Sequence, residues 1–140
     1  MLTGAVALAA VDLSVNSTLA DTAPLYHHRS SSWAALCVVV FVAALGISRL
    51  PSLGVKVGAV LLCGGLLGNL VSAHQHAGSV PDPLWIGTRD AGLAFNLADV
   101  YTLTGIVVLI AAVMALAVRH RDRFSPPSRA ERWLLRRLGL

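Results

Sequence analysis

The sequence predicts an all-α membrane protein: a bundle of four transmembrane helices with a short extracytoplasmic segment and a basic cytoplasmic tail. Hydrophobic residues make up 56% of the 140 residues and charged residues only 13%, whereas a soluble domain carries about 25% charged residues. The apolar residues also form long blocks and do not alternate with charged ones, as is typical of membrane spans. The chain therefore has too few polar groups to cover a water-facing surface.

Four apolar segments predict the helices of one transmembrane domain over residues 1–124. A helix of about 20 residues crosses the ~30 Å hydrocarbon core, and each segment approaches that length. The first segment is the weakest, because Asp12 and Asn16 interrupt it. The predicted spans cover residues 2–19, 33–50, 53–71 and 99–118.

The charge distribution predicts how these spans are oriented in the cytoplasmic membrane. Most of the eleven Lys and Arg residues follow Val118, and the positive-inside rule places such a segment in the cytoplasm. Four spans then put the N-terminus in the cytoplasm as well. The loops at about 16–32 and 72–98 lie outside, where they carry Arg29 and Arg89.

Residues 125–140 form the predicted tail. It opens with the helix-breaking stretch Ser125-Pro126-Pro127-Ser128, after which Trp133, Leu134 and Leu138 are interspersed with arginines. This pattern predicts an amphipathic helix on the anionic inner leaflet. Because the basic residues directly follow a span, we expect membrane lipid as their partner and no nucleic acid.

The first segment has one alternative interpretation, a cleaved signal peptide. Ala20-Asp21-Thr22-Ala23 resembles a small-residue cleavage site. However, no basic n-region precedes the segment and Asp12 lies inside the apolar core. We therefore favour a transmembrane helix.

Several polar residues fall at the outer level of the predicted bundle. Ionisable groups in or beside a span are costly, so each needs a reason. Taken singly, Asp99 is explained as a helix N-terminal carboxylate, Asp82 as a turn residue between two prolines, and Asp12 as a polar packing contact. Their shared level instead favours a common site. The polar residues at this level are Asp12, Asn69, Asp82, Asp90 and Asp99.

Three short motifs carry a family resemblance. Residues 64–69 read Gly-Gly-Leu-Leu-Gly-Asn, residues 78–82 read Gly-Ser-Val-Pro-Asp, and residues 95–99 read Phe-Asn-Leu-Ala-Asp. In this order they resemble signal peptidase II, the lipoprotein signal peptidase, a family of four-helix intramembrane aspartic proteases. The last motif is the most specific, and here it is complete.

The resemblance implies an aspartic endopeptidase with no metal and no cofactor. Its catalytic pair is Asp82 and Asp99, with Asp12, Asn69 and Asn96 as supporting or substrate-binding residues. The implied partner is the lipid-modified signal helix of a prolipoprotein, cut before the modified cysteine at the outer leaflet. Two carboxylates held close together share one proton, so that one can activate water while the other polarises the scissile carbonyl.

The sequence also departs from the family. Ser72 and Ala73 stand where the family has Asp-Arg, and Asn16 stands where it has lysine. The family's Asn-x-Gly-Ala-Ala-Phe stretch is missing near residues 29–33, and the segment that builds its β-cradle is short.

These departures leave two alternatives to a protease. One is a catalytically silent relative that binds lipidated or signal-peptide helices. The other is a metal-binding membrane protein, since histidine pairs ligate zinc or copper, although their spacing here matches no familiar site. The histidines concerned are His27, His28, His74 and His76.

Overall fold

The computed structural model describes residues 1–19, 25–88, 91–121 and 129–139. The alternative cleavage site at 20–23, Asp90 with Arg89, and the predicted breaker at 125–128 lie outside the described residues. The elements in chain order are α1 (Leu2–Leu19), β1 (Leu25–His28), α2 (Ser31–Ile47), α3 (Leu53–Gln75), β2 (Ser79–Asp82), β3 (Leu84–Gly87), β4 (Gly92–Phe95), α4 (Leu97–Arg119) and α5 (Arg129–Leu138).

Helix α3 lies at the centre and packs most extensively on α4, then on α1 and α2. Small residues make this close packing possible. A Cβ on Gly58 would lie 2.6 Å from the backbone nitrogen of Leu109 on α4, and one on Gly64 would lie 2.8 Å from the Cβ of Leu8 on α1. Gly58 and Gly64 thus allow close contacts with two different helices, α4 and α1.

The outer faces of the helices are strongly apolar. On α4, Leu103, Val107, Ile110 and Met114 are all exposed, a surface suited to lipid and unsuited to water. By length and composition α1, α3 and α4 can each cross a membrane, while α2, with 17 residues, is the shorter apolar helix. The predicted class, an all-α membrane protein, is confirmed at this level.

The helix ends differ by a few residues from the predicted spans, because polar caps set them. The side chain of Ser30 accepts a hydrogen bond from the backbone N–H of Trp33, which starts α2 earlier than predicted. Asn96 caps α4 in the same way, through the N–H of Asp99. Hydropathy locates the apolar core of a span, whereas caps satisfy the free N–H groups at its end.

Two antiparallel strand pairs extend the end of the bundle at which α4 begins, and the hydropathy pattern does not predict them. β1 pairs with β2, Leu25 opposite Asp82 and His28 opposite Ser79. β3 pairs with β4 as a hairpin. The first pair links the segment before α2 to the segment after α3, so it brings two distant loops to one place.

The tail contains α5, where Trp133, Leu134 and Leu138 are exposed. The guanidinium of Arg137 lies over the Trp133 ring, 4.4 Å from its centroid. Contact of this helix with the inner leaflet stays a prediction.

Candidate active site

Asp82 is the last residue of β2, and its side chain is 1% exposed. Its Oδ1 accepts a hydrogen bond of 3.0 Å from the side-chain nitrogen of Asn96, and its Oδ2 contacts Nδ1 of His27 on the neighbouring strand. A buried carboxylate requires such partners, because desolvation without them is costly. Both oxygens of Asp82 are therefore held by nitrogen atoms.

Asp99 lies in the first turn of α4, and its side chain is 35% exposed. Its Oδ1 accepts a hydrogen bond of 2.9 Å from the side-chain nitrogen of Asn69. The same oxygen lies 4.0 Å from Nη2 of Arg29. A carboxylate in the first turn is also stabilised by the helix dipole. Asp99 is thus the more accessible of the two predicted catalytic residues.

Two asparagines bridge the aspartates. The side-chain nitrogen of Asn96 donates to Asp82 and also to Oδ1 of Asn69 at 3.1 Å. Asn69 in turn donates to Asp99, while Oδ1 of Asn96 accepts from the backbone N–H of Asp99 at 2.8 Å. The two carboxylates therefore belong to one continuous hydrogen-bond network.

Asp12 supports this network from α1. Its Oδ1 accepts from the backbone N–H of Ala98 at 2.8 Å, and its Oδ2 accepts from Asn16 at 3.1 Å. The missing side chain of Gly68 leaves it room, since a Cβ there would lie 2.9 Å from Oδ2. Asp12 thereby ties α1 to the first turn of α4, directly before Asp99.

A small apolar cavity adjoins Asp99. It has a volume of about 240 Å³ and lies between the β3–β4 hairpin and α4. Ile86 and Leu93 on the hairpin are 67% and 66% exposed, and Leu103 on α4 is 67% exposed. The carboxylate therefore stands at the edge of a surface that favours apolar chains.

A second cavity of about 460 Å³ lies between the start of α2 and the end of α3. Arg29, Trp33 and His74 contribute to its lining. The guanidinium of Arg29 lies 5.1 Å from the centroid of the Trp33 ring, within the range of a cation–π interaction. This arrangement holds Arg29 beside Asp99.

The structure brings together all five residues predicted from the sequence, and it adds two that the sequence motifs do not include. His27 contacts Asp82, and Arg29 lies beside Asp99. Sequence motifs could not indicate the contact of His27 with Asp82, because the two residues are 55 positions apart. They meet only through the register in which β1 pairs with β2.

The two family departures on α3 lie next to the site. Ser72 is fully buried, and its hydroxyl has no hydrogen-bond partner within the described part of the chain. Its backbone oxygen contacts Nδ1 of His76 at 2.8 Å, and the His76 ring packs edge-on against Tyr26, with centroids 6.4 Å apart. His76 is thus engaged in local packing.

Across residues 1–19, 25–88, 91–121 and 129–139, no group of three or more His, Cys, Asp or Glu residues is placed to hold a metal ion. The two cysteines, Cys37 and Cys63, are buried and free.

Comparison with known families agrees with the motifs. The family model described as signal peptidase (SPase) II matches residues 17–115. This range contains the Asp82–Asn96–Asn69–Asp99 network and excludes Asp12. No curated protein sequence matches the chain.

Proposed function

Because the chain belongs to the signal peptidase II family, we propose that it is an intramembrane aspartic endopeptidase that removes signal peptides from prolipoproteins. The main structural support for this proposal is the hydrogen-bonded bridge of Asn69 and Asn96, which links Asp82 to Asp99. Members of this family act on lipoprotein signal peptides in membranes. The retained carboxylates supply the groups that peptide hydrolysis requires.

In the proposed mechanism the pair carries one shared proton, and a water molecule binds between the two carboxyl groups. The ionised carboxylate takes a proton from this water while the water oxygen attacks the scissile carbonyl carbon. The protonated member donates its proton to the carbonyl oxygen. Breakage of the C–N bond then returns a proton to the leaving nitrogen, giving a carboxylic acid and an amine with no covalent enzyme intermediate.

The proposed substrate is a signal helix with a lipid-modified cysteine. The cavity between the hairpin and α4 is lined by apolar side chains with Asp99 at its edge. Burial of hydrocarbon at this surface contributes about 25 cal/mol per Å². An apolar signal helix held there places its peptide backbone close to Asp99, and an acyl chain held there brings the cysteine that carries it to the same place.

The proposed topology is four spans in the cytoplasmic membrane, both termini in the cytoplasm and the site at the outer leaflet. The 17 residues of α2 reach the lower end of the range that spans a bilayer. Arg119 ends α4 at the opposite end of the helix from Asp99. The basic residues beyond it then meet the cytoplasmic leaflet.

A second candidate function is a silent relative that binds signal helices without cutting them. Two observations favour it: Asp82 is fully buried, and Ser72 and Ala73 replace the family's Asp-Arg. The amide bridge disfavours it, because binding alone does not require two carboxylates joined in one hydrogen-bond network.

The test measures cleavage of a purified lipidated prolipoprotein by the full-length protein in bilayers. The Asp82→Asn and Asp99→Asn variants are assayed under the same conditions. We expect the parent to release the signal peptide. In both variants kcat should fall by at least about a thousandfold, because catalytic groups that act together lose most of their effect when one of them is removed. A folded parent that binds the precursor but leaves it intact over a broad pH range contradicts the protease and supports the binding protein.

A further inference from the structure

The pairing of β1 with β2 decides which residues of β1 face Asp82. Leu25 lies opposite Asp82 in this antiparallel pair, and His27 lies opposite Val80. Side chains alternate between the two faces of a strand, so His27 shares the face of Leu25 and Asp82 and is a diagonal neighbour of Asp82. His28 points to the other face.

The contact joins a half-exposed imidazole to a buried carboxylate. The His27 side chain is 49% exposed, whereas that of Asp82 is 1% exposed, and Nδ1 meets Oδ2. Oδ1 of Asp82 is already held by Asn96 at 3.0 Å. With a nitrogen at each oxygen, the carboxylate is fixed in both position and rotation.

We propose that His27 is a positioning residue for Asp82, a role that rests on the proposed protease function. Its Nδ1–H donates to Oδ2 and fixes the plane of the carboxylate relative to Asp99. Hydrogen bonds to a charged acceptor are among the strongest in proteins, and reacting groups must be held to within about 0.5 Å to be effective. His27 acts through Asp82 and needs no contact with the substrate.

A purely structural role makes a different prediction. If His27 served only strand pairing, its substitution would lower stability, and His28, the next residue of the strand, would behave in the same way. A positioning role instead predicts a loss of kcat that depends on an N–H donor at this position.

The test compares His27→Asn with His27→Leu, two side chains of nearly equal shape that differ in the donor. The amide nitrogen of asparagine can occupy the place of Nδ1, whereas leucine has no donor. His28→Leu is the matched control on the opposite face. Each full-length variant is reconstituted in bilayers, its thermal unfolding is measured, and kcat and KM are determined with a lipidated prolipoprotein.

We expect His27→Leu to lower kcat by about tenfold or more, the effect of losing a hydrogen bond to a charged group, with KM little changed. His27→Asn should recover most of the loss, and His28→Leu should match the parent. If His27→Leu does not fold, His27→Ala replaces it in the same comparison.

Two outcomes overturn the inference alone: a parent that cleaves while His27→Leu matches it, or a His27→Asn variant that is folded yet as impaired as His27→Leu. A folded parent that cleaves no precursor overturns the proposed function, and the inference falls with it.

Discussion

Asn96 connects the start of α4 to Asp82: its side-chain nitrogen donates to the buried carboxylate at 3.0 Å while its side-chain oxygen caps the helix at the N–H of Asp99. One amide therefore sets both the helix start and the position of an aspartate on another element. The two roles are separable by substitution.

Asn96→Ser keeps a capping oxygen but removes the donor to Asp82, whereas Asn96→Ala removes both. We expect both variants to lose kcat, because Asp82 loses a hydrogen bond in each. Only Asn96→Ala should also lose the cap, worth about 1 kcal/mol of unfolding free energy. Cleavage assays and unfolding in detergent measure the two effects, and equal stability of the two variants would contradict the capping role.

Asp12 is expected to contribute mainly to stability. Asp12→Leu leaves the buried N–H of Ala98 without its acceptor, which should cost about 1–3 kcal/mol. Asp12→Asn keeps an oxygen for that N–H and should lose less. Unfolding in detergent compares the two, and an Asp12→Leu variant as stable as the parent would show that the contact is unimportant.

The close approach of α3 and α4 makes Gly58 intolerant of substitution. A Cβ there would lie 2.6 Å from the nitrogen of Leu109, whereas a Cβ on Gly46 in α2 meets nothing within 4 Å. We expect Gly58→Ala to destabilise the protein by about 1–3 kcal/mol through overpacking. Gly46→Ala should be neutral or stabilising by up to ~1 kcal/mol, because alanine has the higher helix propensity. Thermal unfolding of the Gly58→Ala and Gly46→Ala variants in the same detergent tests this prediction. Equal shifts of Tm in the two variants would refute the close packing assigned to Gly58.

Arg29 should affect turnover less than His27 does. Its Nη2 lies 4.0 Å from Asp99, and both side chains are partly exposed, so the ion pair is worth only about 0.2–1 kcal/mol. We predict that Arg29→Gln lowers kcat by at most about fivefold, with Arg29→Lys between it and the parent. A larger loss than in His27→Leu would mean that Arg29 contacts the substrate directly.

The apolar cavity beside Asp99 predicts a defect in binding. Ile86→Ser combined with Leu93→Ser removes hydrocarbon from its lining, and each truncation should cost about 1 kcal/mol of affinity. KM for the lipidated precursor should rise about tenfold or more with kcat little changed. Val38→Ser, an exposed residue of α2 away from this cavity, is the control. An equal rise in KM for the control would indicate a general membrane effect.

Much of the helical framework could be predicted from the sequence, because long apolar blocks have few alternatives in a membrane. The family resemblance is confirmed by the match over residues 17–115. The roles of Asp82 and Asp99 stay predictions, although the structure places both in one network with Asn69 and Asn96.

The strands could not be predicted in the same way. β1 and β2 have four residues each, and a stretch such as Val80-Pro81-Asp82 shows no clear alternation of apolar and polar residues. Their partners lie more than fifty positions apart, so His27 gives no local sign that it contacts an aspartate. Local patterns locate helices and caps, whereas such contacts depend on register between distant segments.

The hydrogen bond between Asp12 and Ala98 joins residues 86 positions apart, and this has a consequence for biogenesis. When α1 first leaves the ribosome, Asn16 of the same helix can donate to Oδ2 of Asp12, but Oδ1 still lacks the N–H of Ala98, and an incompletely paired carboxylate is costly in lipid. We therefore expect α1 to insert stably only once α4 has been made, and to stay at the translocon until then. The same delay postpones assembly of the candidate site, because Asp99 arrives with α4, the last helix of the bundle.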